Sequence, residues 1–125
     1  MQKRHKDRKQ YFEEQGITTK KYVIPYIEQV KKVKKGTRVL EIGCGEGGNL
    51  SPFIELKCEV VGIDLNKKQI KNAKLFIAEK YGNPNIQLIN RNIYNISHEE
   101  IGTFDVIFLR DVIDHIPNHI EFMRH

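Results

Sequence analysis

Val39-Leu40-Glu41-Ile42-Gly43-Cys44-Gly45-Glu46-Gly47-Gly48-Asn49-Leu50 is the stretch whose reading decides the fold. Val39, Leu40 and Ile42 suit a short strand covered on both faces. Glycines at 43, 45, 47 and 48 then let the backbone turn tightly and approach a ligand with no Cβ in the way. Leu50, Phe53 and Ile54 follow at i, i+3, i+4, the apolar stripe of a helix laid on a sheet. A strand, a glycine turn and a helix whose first N–H groups face outward make a ligand site.

Two nucleotide-type ligands use such a turn. Gly43-x-Gly45-x-x-Gly48 satisfies the dinucleotide fingerprint, and Asp64 lies 21 residues beyond Gly43, close to the roughly 20 expected of a ribose-binding acid. Glu41 points the other way. A carboxylate at the mouth of the turn repels a pyrophosphate but suits a ligand carrying an ammonium and a sulfonium. With Glu41, Gly43, Gly45 and Gly47 in an E/D-x-G-x-G-x-G pattern, the stretch resembles the first motif of the class I S-adenosyl-L-methionine-dependent methyltransferases. That resemblance implies an α/β, Rossmann-like parallel sheet with helices on both faces and S-adenosyl-L-methionine as cofactor.

Going outward, Glu59-Val60-Val61-Gly62-Ile63-Asp64 is predicted as the second strand, with Asp64 at its carboxyl end, where open α/β sheets bind ligands. Asn66-x-x-Gln69 supplies the cap of the next helix, which leaves Asp64 for another task. The resemblance makes that task gripping the ribose hydroxyls, with Leu65 flanking the adenine. Ile70, Ala73, Ile77 and Tyr81 give the helix its buried face, and Gly82-Asn83-Pro84 stops it. Residues 86–90 read as the third strand. After it, Asn92 and Ile93 stand where the family usually has an acid accepting from the adenine amino group, so Asn92 is a departure. Asn92 reads equally as a plain loop asparagine. Ser97-x-x-Glu100 is a capping box, and residues 104–109 form the fourth and most apolar strand.

The stretch from Arg110 to Pro117 resembles the fourth-strand motif of small-molecule methyltransferases and lacks the Asn/Asp-Pro-Pro-Tyr motif of enzymes methylating exocyclic or amide nitrogens. The resemblance completes a cofactor set of Glu41, Gly43, Cys44, Gly45, Gly47, Asp64, Leu65, Asn92, Ile93 and Arg110. It brings His115 and Asp111, with Asp114 beside them, near the methyl group as general-base candidates, histidine being the commonest such base. Packing or capping is the alternative role of His115. No metal spacing is present: Cys44 and Cys58 stand alone, Cys44 reads as a small filler, and the pair fits a reducing cytoplasm.

Upstream, residues 1–35 carry 11 Lys/Arg against 4 Asp/Glu, net +7, while the rest nets −2. Residues 1–10 read as a frayed basic leader and 11–125 as the cofactor-binding domain. Tyr22, Val23, Tyr26, Ile27 and Val30 predict a helix running through Val33, with Lys34-Lys35-Gly36 closing it. Tyr11 and Phe12 suit either core packing or a lid over the cofactor. No apolar run approaches the roughly 20 residues of a membrane span.

Three strand–helix units and a fourth strand imply right-handed crossovers and, by resemblance, the strand order 3-2-1-4. The family's sheet has seven strands, so these 125 residues match its cofactor half and are expected to be a piece of a longer protein. In isolation the 104–109 strand is an apolar edge and a surface for self-association. The expected acceptor is a small molecule rather than nucleic acid or protein, with no membrane partner. Two other classes share features with the chain: an NAD(P)-dependent oxidoreductase, through the glycines and Asp64, and a non-catalytic cofactor- or RNA-binding module, through the basic arm.

Overall fold

The computed structural model describes residues 5–109. Four strands, β1 (Arg38–Ile42), β2 (Glu59–Ile63), β3 (Ile86–Ile89) and β4 (Val106–Leu109), form one parallel sheet in the order β3-β2-β1-β4. This is the Rossmann-like order expected, with β1 central and the chain reversing direction across the sheet on either side of it. The helices are α1 (His5–Thr18), α2 (Ile24–Glu28), α3 (Ser51–Glu55), α4 (Lys67–Tyr81) and α5 (His98–Ile101).

Strand alternation divides the core. On one face Val39, Val60, Val106 and Phe108 pack with Phe12, Ile24, Ile27, Leu50, Phe53, Ile70, Phe76 and Ile77 from α1 to α4. On the other, Leu40, Val61 and Ile63 meet Ile42, Ile89, Ile93, Ile96, Ile101, Phe104 and Ile107. Both faces of β1 are therefore covered, which is why its run is almost continuously apolar. Glu41 is the exception, fully buried on the first face.

Gly62 lies opposite Glu41 in the β1–β2 register. A Cβ there would come within 2.9 Å of Cys44 Sγ and of Leu50 Cδ1, so the missing side chain lets the segment after β1 settle onto β2. α4 has the cap read from sequence: Asn66 Oδ1 accepts from the Gln69 N–H at 3.1 Å, and Gly82 at φ +76° ends the helix. Its buried face includes Phe76 as well as Ile70, Ala73 and Ile77.

The N-terminal segment departs most from the sequence reading. Residues 5–10 belong to α1 instead of a frayed leader. Arg8 and Lys9 bridge to Glu46 and Glu79 at 3.1 and 3.4 Å, and Phe12 is buried against Phe76 with ring centroids 5.5 Å apart. Gly16 lies close to the Gly48 carbonyl, 3.5 Å from where a Cβ would sit, so helix and glycine turn meet backbone to backbone.

The following helix also differs. The chain runs on from α1 through a π-turn (Thr19–Val23) into α2, and the helix stops at Glu28, short of Val33. One extra residue per turn advances the side-chain phase by about 100°. Thr19, Ile24 and Ile27 consequently face inward, while Tyr22 is 62% exposed and Val30 42%. Gly36, at φ +85°, serves a turn before β1 and not a helix end. β4 is two residues shorter than the predicted 104–109 run, because Phe104 packs into the second core cluster beneath the Arg38 guanidinium, 4.6 Å from its ring centre.

Truncating Phe12 tests whether α1 belongs to the folded core. Phe12→Ala is expected to lower unfolding free energy by about 3 kcal/mol, the usual cost of emptying a buried aromatic site, read from the urea midpoint at unchanged slope. A loss below about 0.5 kcal/mol, typical of a surface site, would detach α1 from the core.

Candidate functional site

The site forms where the carboxyl ends of β1, β2 and β3 meet. After Ile42 the chain leaves β1 with Gly43, Gly45 and Gly47 at φ +78°, +56° and +86°. All three alternate glycines occupy the left-handed region, where a side chain costs energy. Their spacing is thus a backbone requirement. Gly48 has a different reason: a Cβ there would meet Gln15 of α1 at 2.5 Å and the Phe12 carbonyl at 2.8 Å.

Asp64 follows β2 and reaches across to this turn. Its Oδ2 accepts from the Gly45 N–H at 2.8 Å and its Oδ1 from the Asn66 N–H at 2.8 Å. The carboxylate is therefore not free of protein contacts; it clasps the glycine turn. From the end of β3, Asn90 Nδ2 donates to the Asp64 and Leu65 carbonyls, each at 3.0 Å. This fixes the backbone at Leu65, whose side chain is 71% exposed. Asn90 was not among the expected site residues. The available signal was its place, the first polar residue after a strand at the ligand-binding end.

Glu41 sits inside the fold and not at the mouth of the turn. Its Oε2 accepts from Asn49 Nδ2 at 3.2 Å, and Asn49 Oδ1 accepts from the Thr19 hydroxyl at 2.8 Å. Glu46, also buried, accepts from Arg8 Nη1 at 3.1 Å and from Asn72 Nδ2 at 2.7 Å, joining α1 and α4 to the turn. Sequence spacing carried no sign of this lock, since its partners lie 38 and 26 residues away.

Asn92 Oδ1 accepts from the Tyr94 N–H at 3.0 Å and caps the 3-10 turn Ile93–Asn95. Its amide oxygen does the work of a loop asparagine, and Ile93 packs into the second core cluster. Cys44 is buried within the turn, as expected of a filler, and burial pushes the Cys58 thiol up to about 11, out of the nucleophilic range near neutrality. Arg110, Asp111, Asp114 and His115 lie outside the described residues. The structure thus brings together Glu41, Gly43, Cys44, Gly45, Gly47, Asp64 and Leu65, and adds Asn90 and Asn49.

The turn is ill suited to a pyrophosphate. The N–H groups of Gly45, Gly47 and Leu50 are satisfied by Asp64 Oδ2, the Cys44 carbonyl and the Gly47 carbonyl. The Asp64 carboxylate borders the turn, so it favours a ligand offering hydroxyl donors.

Known proteins agree with this chemistry. The Methyltransferase domain family profile matches residues 33–125. A ubiquinone biosynthesis O-methyltransferase of Albidiferax ferrireducens is 30% identical over 89 residues, 71% of this chain and 35% of that protein. A probable (S)-tetrahydroprotoberberine N-methyltransferase 2 of Papaver bracteatum is 34% identical over 102 residues, 79% of this chain and 27% of that protein. Among solved structures, PKMT2 of Rickettsia typhi in complex with AdoHcy superposes with a TM-score of 0.59 at 32% identity, covering 69% of this chain and 18% of that one. The chain therefore spans about a third of the length of the curated relatives it matches.

Gly45→Val places a β-branched residue at φ +56° and strains the turn that Asp64 clasps. The expected loss is about 1–3 kcal/mol of stability, measured by chemical denaturation. An unchanged midpoint would show that the turn adopts another path in solution.

Proposed function

The chain belongs to the Methyltransferase domain family, and from that premise we propose that it binds S-adenosyl-L-methionine at the carboxyl end of β1 and β2 and carries the cofactor half of a methyltransferase. The observation that supports this best is the contact of Asp64 Oδ2 with the Gly45 N–H at 2.8 Å. It removes from the turn a donor that a pyrophosphate would need, and sets a carboxylate where a ribose diol can donate to it. The residues fit the cofactor. Asp64 takes the ribose hydroxyls, Leu65 offers an exposed apolar surface to the adenine, and Gly43, Gly45 and Gly47 keep side chains off its path. Glu41, held inside the fold behind the turn, is the proposed negative charge acting on the ligand's cationic end.

Bound there, the cofactor would supply an activated methyl group on a sulfonium, whose sulfur would leave with the carbon–sulfur bonding electrons as the acceptor's lone pair bonds to the carbon. The protein's task is to hold nucleophile, methyl carbon and sulfur in line and to exclude water. An acceptor hydroxyl loses its proton in the process, and His115 or Asp111 is the proposed base. The acceptor is proposed to be a small molecule. The matched names span an O- and an N-methyltransferase, so the acceptor atom is left open. No helix among the described residues is long and apolar enough to cross a membrane. A cytoplasmic location is proposed on the two free cysteines, and self-association through the outer edge of β4 is proposed on its apolar sequence.

Calorimetric titration with S-adenosylhomocysteine and, separately, with NAD tests the class. Binding of the former alone is expected, and binding of NAD alone would reverse the reading of the turn. Asp64→Ala is expected to weaken the S-adenosylhomocysteine complex by about 1.5–3 kcal/mol, the value of hydrogen bonds to a charged group. Equal affinity in the variant would remove Asp64 from the site.

A further inference from the structure

The geometry points to Thr19 and Asn49 as positioning residues that fix the Glu41 carboxylate inside the fold behind the glycine turn, from where its charge acts on the cofactor's cationic end, an inference that rests on the cofactor reading above. Three side chains from three segments form one line: Thr19 Oγ1 donates to Asn49 Oδ1 at 2.8 Å, and Asn49 Nδ2 donates to Glu41 Oε2 at 3.2 Å. A carboxylate only accepts hydrogen bonds, so Glu41 selects the orientation of the Asn49 amide in which nitrogen faces it. The amide oxygen then faces Thr19, where only a donor is compatible, and the Thr19 hydroxyl is that donor. Each member fixes the next, and the order cannot be reversed without setting the Asn49 oxygen against the Glu41 oxygens.

Local structure is bent to make this line. Thr19 is 1% exposed and opens the π-turn Thr19–Val23 that interrupts the N-terminal helix. An uninterrupted α-helix would carry the residues beyond it about 100° out of phase per inserted position. The π-turn therefore lets Thr19 face the glycine turn while Ile24 and Ile27 still reach the core. Such insertions occur preferentially at functional sites. A buried hydroxyl, a buried carboxylate and an amide between them are costly unless all are satisfied together. Plain packing would be served as well by apolar residues at 19 and 49.

Asn49 follows directly on the glycine turn, in the 3-10 turn Gly48–Leu50, so the line runs from the N-terminal segment into the proposed cradle. It gives that segment a task at the site beyond covering the core.

The test compares binding of S-adenosylhomocysteine, which carries the ammonium, with methylthioadenosine, which keeps the adenosine and sulfur but lacks the amino-acid tail. Titrations are made on the wild-type chain, Thr19→Val, Thr19→Ser, Asn49→Leu, Glu41→Gln and the Thr19→Val/Glu41→Gln pair. Thr19→Val keeps the volume and removes the donor. It is expected to weaken S-adenosylhomocysteine about fivefold, one neutral hydrogen bond, and Asn49→Leu about tenfold, one bond to a charged group. Methylthioadenosine affinity should stay within about twofold in both, and Thr19→Ser should restore binding. In the Glu41→Gln background Thr19→Val should have no further effect, because residues acting through one another are not additive.

Equal weakening of both ligands, additive effects in the pair, or no rescue by serine would each overturn the inference and leave Thr19 a packing residue. Failure of the wild-type chain to bind S-adenosylhomocysteine would instead overturn the cofactor reading, and this inference with it.

Discussion

Between Gly43 and Gly47 the backbone enters the left-handed region at every second residue, a path that any residue with a Cβ follows only at a cost. The rest of the described structure is arranged to hold that path. Below it, the Gly43 and Cys44 N–H groups both donate to the Ile63 carbonyl, at 2.7 and 3.0 Å, tying the turn to the end of β2. Beside it stands Asp64, and above β2 there is room only because residue 62 is glycine. A turn of this shape is stable only where neighbours over-determine it. The sheet supplies those neighbours because β1 is central and flanked by parallel strands on both sides.

The N-terminal helix is part of the same arrangement. Phe12 contributes apolar burial, but the specificity of the segment's docking comes from polar contacts: Arg8 on Glu46, and Thr19 through Asn49 on Glu41. Buried carboxylates are expensive when unsatisfied and rigid when satisfied. Glu41 and Glu46 therefore act as sockets that the helices fill in one register only.

The family assignment and the site geometry meet at the cofactor half of the fold. The profile match begins at residue 33, so it includes β1, the glycine turn and Asp64 but not α1 or the π-turn. What the N-terminal segment adds is accordingly argued from contacts in this chain alone. The partial coverage of longer relatives fits a sheet whose described part ends at β4, paired on one side with β1.

By itself the sequence determined the elements whose signals are local. The apolar run of β1, the alternate glycines, the Asn66 cap, the Ser97–Glu100 capping box and the stripe of α4 each follow from neighbours within a few residues, and together they determined the order of elements. The expected strand order came from likeness to a family, and Asp64 was legible through its distance from the turn. Only the tertiary structure decided what depends on contacts between distant positions. The docking of α1 rests on one phenylalanine, a glycine and ion pairs, with no helical stripe to announce it. The π-turn shifts the buried face out of the period by which helices are read. Glu46 carries no local signal of its partners Arg8 and Asn72, and of the two readings of Asn92 the structure shows the loop asparagine, its Oδ1 capping the Tyr94 N–H. A carboxylate or amide carries the same letter whether it binds a ligand or satisfies the fold, and only its neighbours in space distinguish the two.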